Sequence, residues 1–213
     1  MKKILIVDDH AVVRDGVKRI FDEQRSATSF FGEASTGPQA VTIAQKEHWD
    51  AVVLDLSLGD SSGLEVLKEL KQVRPKLPVL ILSMHSEAQY ARRAFKAGAA
   101  GYITKDSSRS ELVEAIHRVI EGRRYVSPAM AEKLVIDLED GSLRPPHELL
   151  SDREFEVMCL IASGKTLGAI AQRLSISDKT VSTYRARILE KLRIRTSAEI
   201  VHYAFQNNLV ELP

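Results

Sequence analysis

The sequence lacks the features that would announce several protein classes. It has one cysteine, Cys159, in 213 residues. Neither a disulfide framework nor a thiolate metal site can therefore form within one chain, and a reducing compartment fits. No stretch approaches the ~18 apolar residues of a membrane span. The opening MKKILIVDDH has four apolar residues, Ile4 to Val7, between its lysines and its acids, short of the ~7 that a signal-peptide core needs. A cytoplasmic protein is expected. Charge of one sign is missing too: the formal net charge is +1 with 28% charged residues, which excludes a chain that coats nucleic acid through bulk charge. Any basic patch must be local. No solenoid-period repeat is present, and the length suits one or two domains.

What is present falls into two textures. Up to about residue 122, short apolar runs alternate with segments of helical period. Lys3 to Val7, Ser29 to Ala34, Ala51 to Asp55, Pro78 to Ser83 and Ala100 to Thr104 read as strands. Leu64, Leu67 and Leu70, and later Leu112, Ile116, Val119 and Ile120, mark helices between and after them. Such alternation implies a parallel sheet covered by helices on both faces. From Ser127 one helix capped by that serine is expected, and GSLRPPHE at Gly141 to Glu148 then breaks it. Beyond residue 150 no strand is plausible. Four helices are expected there, over Asp152 to Ala162, Leu167 to Leu174, Asp178 to Leu192 and Ser197 to Gln206.

The strand ends carry chemistry. Asp8 and Asp9 close the first strand and Asp55 the third. In an open parallel sheet ligands collect at the carboxyl ends, where strand order reverses. With the order 2-1-3-4-5 the three carboxylates converge, and they repel unless a cation or proton intervenes. A hard divalent ion, Mg²⁺ most naturally, relieves that repulsion through oxygen ligands. The fourth strand ends on Ser83, a hydroxyl donor, and the fifth leads to Lys105, a point charge suited to a phosphoryl oxygen.

With these residues in place, positions 1 to 122 resemble a two-component receiver domain, a flavodoxin-like, doubly wound, five-stranded α/β fold. The resemblance implies that Asp55 is the phosphoacceptor, taking phosphoryl from a sensor histidine kinase. It implies that Asp9, Asp55 and the backbone carbonyl of Ser57 bind Mg²⁺ directly, with Asp8 acting through water. Ser83 would then hydrogen-bond the phosphoryl group, Lys105 would pair with it, and Tyr102 would be the aromatic that changes rotamer on activation. This suits phosphoryl transfer, which depends on positioning and charge neutralisation. The sequence departs from the family after the acceptor: Gly59 and Asp60 stand where proline and glycine are usual.

In the helical part, Ser151 with Glu154 forms a capping box and Ser177 caps the third helix. On that helix Val181, Tyr184, Ile188 and Leu192 share a face, while Lys179, Ser182, Thr183, Ala186 and Arg187 point the other way. Lys179, Arg185, Arg187, Lys191, Arg193 and Arg195 face only Glu190 in opposition, a local cationic excess suited to phosphates. Through LSDREFEV, IASGKT, IAQRLSIS, KTVSTY and ILEKL, residues 148 to 213 resemble a LuxR-type helix-turn-helix, a small all-α four-helix domain. The resemblance implies that Asp178 to Leu192 is the recognition helix. Ser182, Thr183 and Ala186 would meet base edges of promoter DNA, and Lys179, Thr180, Tyr184, Arg185, Arg187 and Lys191 its backbone. It also implies dimer contacts through Ser197 to Gln206. Leu167 and Ala169 stand where many members carry asparagine and glutamate, a departure that bears on how the supporting helix is capped.

The combination resembles a response regulator of the NarL/FixJ class, with a receiver at 1–122, a linker with one helix at 123–147 and a DNA-binding domain at 148–213. It implies a transcription regulator that dimerises on phosphorylation and is not an enzyme beyond weak self-dephosphorylation. Two rival readings stand beside it. SGKT at Ser163 to Thr166 imitates a nucleotide-binding loop, but Cys159 occupies the place of the required glycine, inside a helix. A constitutive DNA binder with a phosphorylation-independent receiver is the other alternative, and the complete acidic set argues against it.

Overall fold

A computed structural model describes residues 2–23, 29–59, 61–85, 87–128, 130–132, 145–207 and 209–210. The chain divides into two compact units, residues 1–131 and 132–213. The helix expected from Ser127 begins as anticipated, with the Ser127 hydroxyl accepting from the Met130 amide at 3.2 Å. Its continuation lies outside the described residues.

The first unit contains β1 (Lys2–Val7), α1 (Ala11–Glu23), β2 (Ser29–Ala34), α2 (Gly37–Lys46), β3 (Ala51–Leu54), β4 (Ser57–Leu58), β5 (Ser61–Ser62), α3 (Gly63–Val73), β6 (Val79–Ser83), α4 (Glu87–Lys96), β7 (Gly101–Thr104) and α5 (Arg109–Ile120). The main sheet has the order β2-β1-β3-β6-β7, and every pairing within it is parallel. This is the expected doubly wound arrangement. β1 and β3 sit centrally because Ile4 to Val7 and Ala51 to Leu54 are apolar at every position, and all are at most 1% exposed. Ile4, Ile6, Val53, Leu80, Leu82 and Ile103 pack with Leu112, Ile116 and Val119 of α5. Their strand neighbours Leu5, Val52, Leu54 and Ile81 are equally buried, so both faces of the sheet are covered.

Three details differ from expectation. β3 ends at Leu54, so Asp55 lies one residue past the strand, though its amide still donates to the Val7 carbonyl at 2.9 Å. The turn after Asp55 is ordered as a small antiparallel pair, Ser57 with Ser62 and Leu58 with Ser61. It closes tightly enough that a Cβ on Gly63 would lie 2.4 Å from the Asp55 carbonyl oxygen, so only glycine lets α3 start there. Finally, the unit does not stop at residue 122. Tyr125 bridges to Gly101, donates its amide to the Ala100 carbonyl at 3.0 Å and is 7% exposed.

The second unit has a short 3₁₀ turn (Pro146–Leu149), α6 (Asp152–Ala162), α7 (Leu167–Arg173), α8 (Asp178–Leu192) and α9 (Ser197–Gln206). Ser151 and Glu154 form the expected capping box, and Ser177 accepts from the Thr180 amide. Thr166 caps α7 by accepting from the Ala169 amide at 3.2 Å, so Leu167 and Ala169 leave the supporting helix capped. Phe155, Met158, Ile170, Val181, Ile188, Ile200 and Ala204 form its core, each 0% exposed. The 3₁₀ turn was not legible in the sequence. Its His147 holds the Tyr203 hydroxyl through its backbone amide at 3.2 Å and lies 3.0 Å from it through Nδ1.

Tyr125→Ala in the full chain is expected to cost about 3 kcal/mol, the usual loss for a buried aromatic. Urea unfolding of the first unit measures it, and a loss within about 0.5 kcal/mol, typical of surface sites, would place Tyr125 outside the core.

Candidate functional site

The parallel topology places the ends of β1, β3, β6 and the residue after β7 at one rim of the sheet. There the Lys105 ammonium lies 2.6 Å from Asp8 Oδ2 and 2.7 Å from Asp55 Oδ2. Both carboxylates are only 3% exposed and the lysine side chain 12%. The remaining oxygens are held by backbone amides: Asp8 Oδ1 accepts from His10 at 2.8 Å and Asp55 Oδ1 from Ser57 at 3.1 Å. Asp9 is the more open acid, with Oδ1 2.7 Å from His10 Nδ1 and Oδ2 accepting from the Gly59 amide at 3.3 Å. A proline at Gly59 could not make that bond, because it carries no N–H. The departure from the receiver pattern therefore has a structural consequence here. Asp60 lies outside the described residues.

Burial pushes the Asp55 carboxyl above the usual carboxylate range, against the opposing pull of Lys105. For Lys105, burial disfavours the ammonium, but hydrogen bonds to Asp55 and Asp8 outweigh it and raise the group above an ordinary lysine. One ammonium thus serves two buried acids. Lys105 draws Asp8 and Asp55 to one point, while the described residues whose ligand atoms lie within 4.8 Å of one another are Asp8, Asp9 and His10, a group that does not include Asp55. Carboxylate oxygens are the hard donors that a divalent cation prefers. These residues fit Mg²⁺, which when bound would neutralise charge that Lys105 only partly offsets.

Ser83 is fully buried, and its Oγ accepts from the His85 amide at 3.1 Å. Tyr102, 1% exposed, donates its hydroxyl to the His85 carbonyl at 2.9 Å, and burial holds its phenol well above the usual range. Sequence reasoning missed His85, although its place two residues after a polar strand end was a usable signal. It also missed Arg14, whose Nη1 donates to the Asp8 carbonyl at 2.8 Å.

On α8, Ser177, Lys179, Thr180, Thr183, Tyr184 and Arg187 line a concavity of about 320 Å³. Lys179, Ser182, Thr183, Ala186 and Arg187 are exposed, as the helical wheel requires. Two cations expected at the DNA backbone have partners within the unit. Arg185 Nε donates to Ser197 Oγ at 2.7 Å, tying α8 to α9, while its remaining N–H groups leave donors in reserve. Lys191 Nζ lies 2.6 Å from Glu154 Oε2, a carboxylate whose side chain is 3% exposed. Lys191 therefore helps hold α8 on α6, with its side chain still 36% exposed. Burial opposes the charge on Glu154, but Lys191 and Ser151 overcome it and keep the carboxyl below its usual range.

Residues 4–117 match the response regulator receiver domain, and residues 148–204 match the bacterial regulatory proteins of the luxR family. The chain belongs to the response regulators. It is 33% identical to the response regulator UvrY of Escherichia coli over 98% of this chain and 96% of that one. It is 34% identical to the response regulator GacA of Pseudomonas aeruginosa over 99% of each. Among solved structures it resembles a LuxR-family two-component response regulator from Aurantimonas, at 35% identity with a TM-score of 0.58 over 63% of this chain and 96% of that one. The fold also matches RcsB of Salmonella bound to promoter DNA, at 22% identity with a TM-score of 0.58 over 95% of this chain and 97% of that one. The response regulator thus pairs a receiver with a LuxR-type DNA-binding domain, as its residues implied. Among the described residues no helix is long and apolar enough to cross a membrane.

Two predictions follow from the charges. Asp55 has a raised carboxyl in the folded state, so the stability it confers is greatest below its unfolded value near 3.9 and is lost as pH rises through the folded value. With metal chelated, Asp55→Asn should melt higher than the parent at pH 7, and the gap should close on acidification below about pH 4. An equal or lower midpoint at pH 7 would contradict the burial argument. Glu154 has the opposite sign: its stabilisation is present above the unfolded value and lost as pH falls through the depressed one. Lys191→Ala should destabilise the second unit by about 1–3 kcal/mol at neutral pH, the range for a hydrogen bond to a buried charge, measured by denaturant unfolding.

Proposed function

We propose that this response regulator is switched by phosphorylation of Asp55, with phosphoryl supplied by a sensor histidine kinase. The observation that carries the reading is the pairing of one buried ammonium, Lys105, with both Asp55 and Asp8 at the rim of the sheet. A phosphoryl group on Asp55 would keep Lys105 as its counter-charge. Asp9, Asp55 and the Ser57 carbonyl would hold Mg²⁺ directly and Asp8 through water. Ser83 would bond a phosphoryl oxygen, with Tyr102 already buried beside it and bonded to the His85 carbonyl. The chain then acts as a phosphoacceptor with at most weak self-dephosphorylation. The related response regulator ChrA, 29% identical over 97% of this chain with a TM-score of 0.50, works in a heme-sensing two-component system, which supports a sensor kinase as the partner class.

The output in this reading is promoter binding by a homodimer in the cytoplasm. Ser182, Thr183 and Ala186 are too short for bidentate arginine-type contacts to guanine, so hydroxyls, methyl contacts and DNA shape carry the specificity. Lys179 and Arg187 flank the concavity on α8 and suit phosphates. Phosphorylation shifts a population, and inverting a 1:99 balance takes about 5.5 kcal/mol of differential stabilisation.

Incubation with acetyl phosphate and Mg²⁺, followed by intact-mass measurement, should show one added phosphoryl group that Asp55→Asn abolishes. No gain with small donors or with the cognate kinase would overturn the reading. Arg187→Ala should weaken DNA binding across sequences and flatten the slope of log affinity against log salt by about one unit at most. Loss confined to one base position would make Arg187 a base reader.

A further inference from the structure

At the end of β6 the chain alternates sharply in environment. Ser83 is 0% exposed, Met84 is 72% exposed, and His85 turns back into the unit. His85 then meets four residues around the acceptor site. Its Nε2 lies 3.2 Å from Ser57 Oγ, in the loop that follows Asp55. Its amide donates to Ser83 Oγ at 3.1 Å, and its carbonyl accepts from the Tyr102 hydroxyl at 2.9 Å. The ring stacks on Tyr90 of α4, with centroids 4.5 Å apart and planes 30° from parallel, and Tyr90 is 3% exposed.

The side chain and the backbone of His85 do different work. The backbone engages both Ser83 and Tyr102, its amide donating to the Ser83 hydroxyl and its carbonyl accepting from the Tyr102 hydroxyl, beside a direct Ser83–Tyr102 side-chain hydrogen bond. The side chain reaches across to Ser57, whose own amide holds Asp55 Oδ1 at 3.1 Å. A change at the Asp55 carboxylate that moves Ser57 therefore pulls on the ring, which belongs to the same residue as the peptide groups that hold Ser83 and Tyr102. The stack on Tyr90 fixes the ring plane, so displacement is passed on rather than absorbed by rotation about the side-chain bonds.

We propose that His85 is a positioning residue that couples the loop after Asp55 to Ser83 and Tyr102 through its contact with Ser57. The inference rests on the reading of Asp55 as the phosphoacceptor. It assigns to this chain a side-chain link between the acceptor loop and Tyr102, in addition to any direct attraction of Ser83 to a phosphoryl group. Ser57 acts here through its hydroxyl, separately from the carbonyl suggested for the metal.

The test uses the full chain labelled with 3-fluorotyrosine, with the Tyr102 resonance assigned from Tyr102→Phe. Acetyl phosphate with Mg²⁺ and intact mass report phosphorylation, and beryllofluoride with Mg²⁺ provides the stable mimic for fluorine NMR. In the parent, the mimic should move the Tyr102 resonance. His85→Ala should still gain the phosphoryl mass while the mimic shifts the Tyr102 equilibrium about fivefold less, the lower end of typical coupling between sites. Ser57→Ala should reproduce that loss, and His85→Gln, whose amide can reach the Ser57 hydroxyl, should restore the response. The combined Ser57→Ala and His85→Ala variant should be no worse than either alone, since both remove one contact. A full Tyr102 response in His85→Ala, or no recovery in His85→Gln, overturns the inference while the parent's mass gain leaves the phosphoacceptor reading standing. Loss of mass gain in His85→Ala would make the residue part of the transfer chemistry and also overturn the coupling role. A parent that gains no mass removes both.

Discussion

One buried ammonium facing two buried carboxylates organises the first unit. Lys105 lies within 2.7 Å of both Asp8 and Asp55, and a single positive charge cannot neutralise two negative ones. Such a triad persists away from water only when its remaining lone pairs are satisfied and the surrounding scaffold resists relaxation. Here the His10 and Ser57 amides meet the remaining oxygens, and the scaffold is a parallel sheet with every central strand residue covered. The residual negative charge is what a cation or a phosphoryl-transfer reaction would act upon.

That constraint explains why local details around the site are so specific. Asp55 follows β3 directly, its amide still bonded to the Val7 carbonyl while its carboxylate meets Lys105. The small hairpin after it must fold tightly enough to present the Ser57 amide, and Gly63 must lack a side chain for α3 to begin directly against the Asp55 backbone. The Gly59 amide on Asp9 adds a bond that the more usual proline would remove. Placement of the acid and fold stability oppose each other at this rim, because the same burial that orients Asp55 also raises its carboxyl.

The second unit uses a buried charge differently. Glu154 caps α6 and receives Lys191 from α8, so its charge is matched one to one and serves cohesion of the helices. The basic stretch that looked uniformly suited to phosphate in the sequence is thereby divided. Lys179 and Arg187 remain outward, Arg185 is shared with Ser197, and Lys191 is paired with Glu154 while partly exposed. Spacing along a helix gives direction around its axis, but it does not reveal which long side chain has a buried partner on another helix.

The strands, the four C-terminal helices, the serine caps of two of them and the strand order were legible because apolar periodicity and capping chemistry are local properties. The acidic set with Ser83 and Lys105 was legible because strand ends of a parallel sheet converge by topology. The hairpin at Ser57 to Ser62, the extension of the core to Tyr125 and the 3₁₀ turn at His147 were not, since each depends on pairing with residues distant in the chain. His85 belongs to the same class: as a lone histidine after a strand it is unremarked in sequence, and only the approach of the Asp55 loop gives its ring a partner. Sequence by itself determined which residues could carry charge and which faces had to be buried, because hydrophobic patterning and side-chain chemistry travel with the chain. Tertiary structure alone decided which charges meet, since that depends on distances of a few ångströms between segments that only the folded sheet and helices bring together.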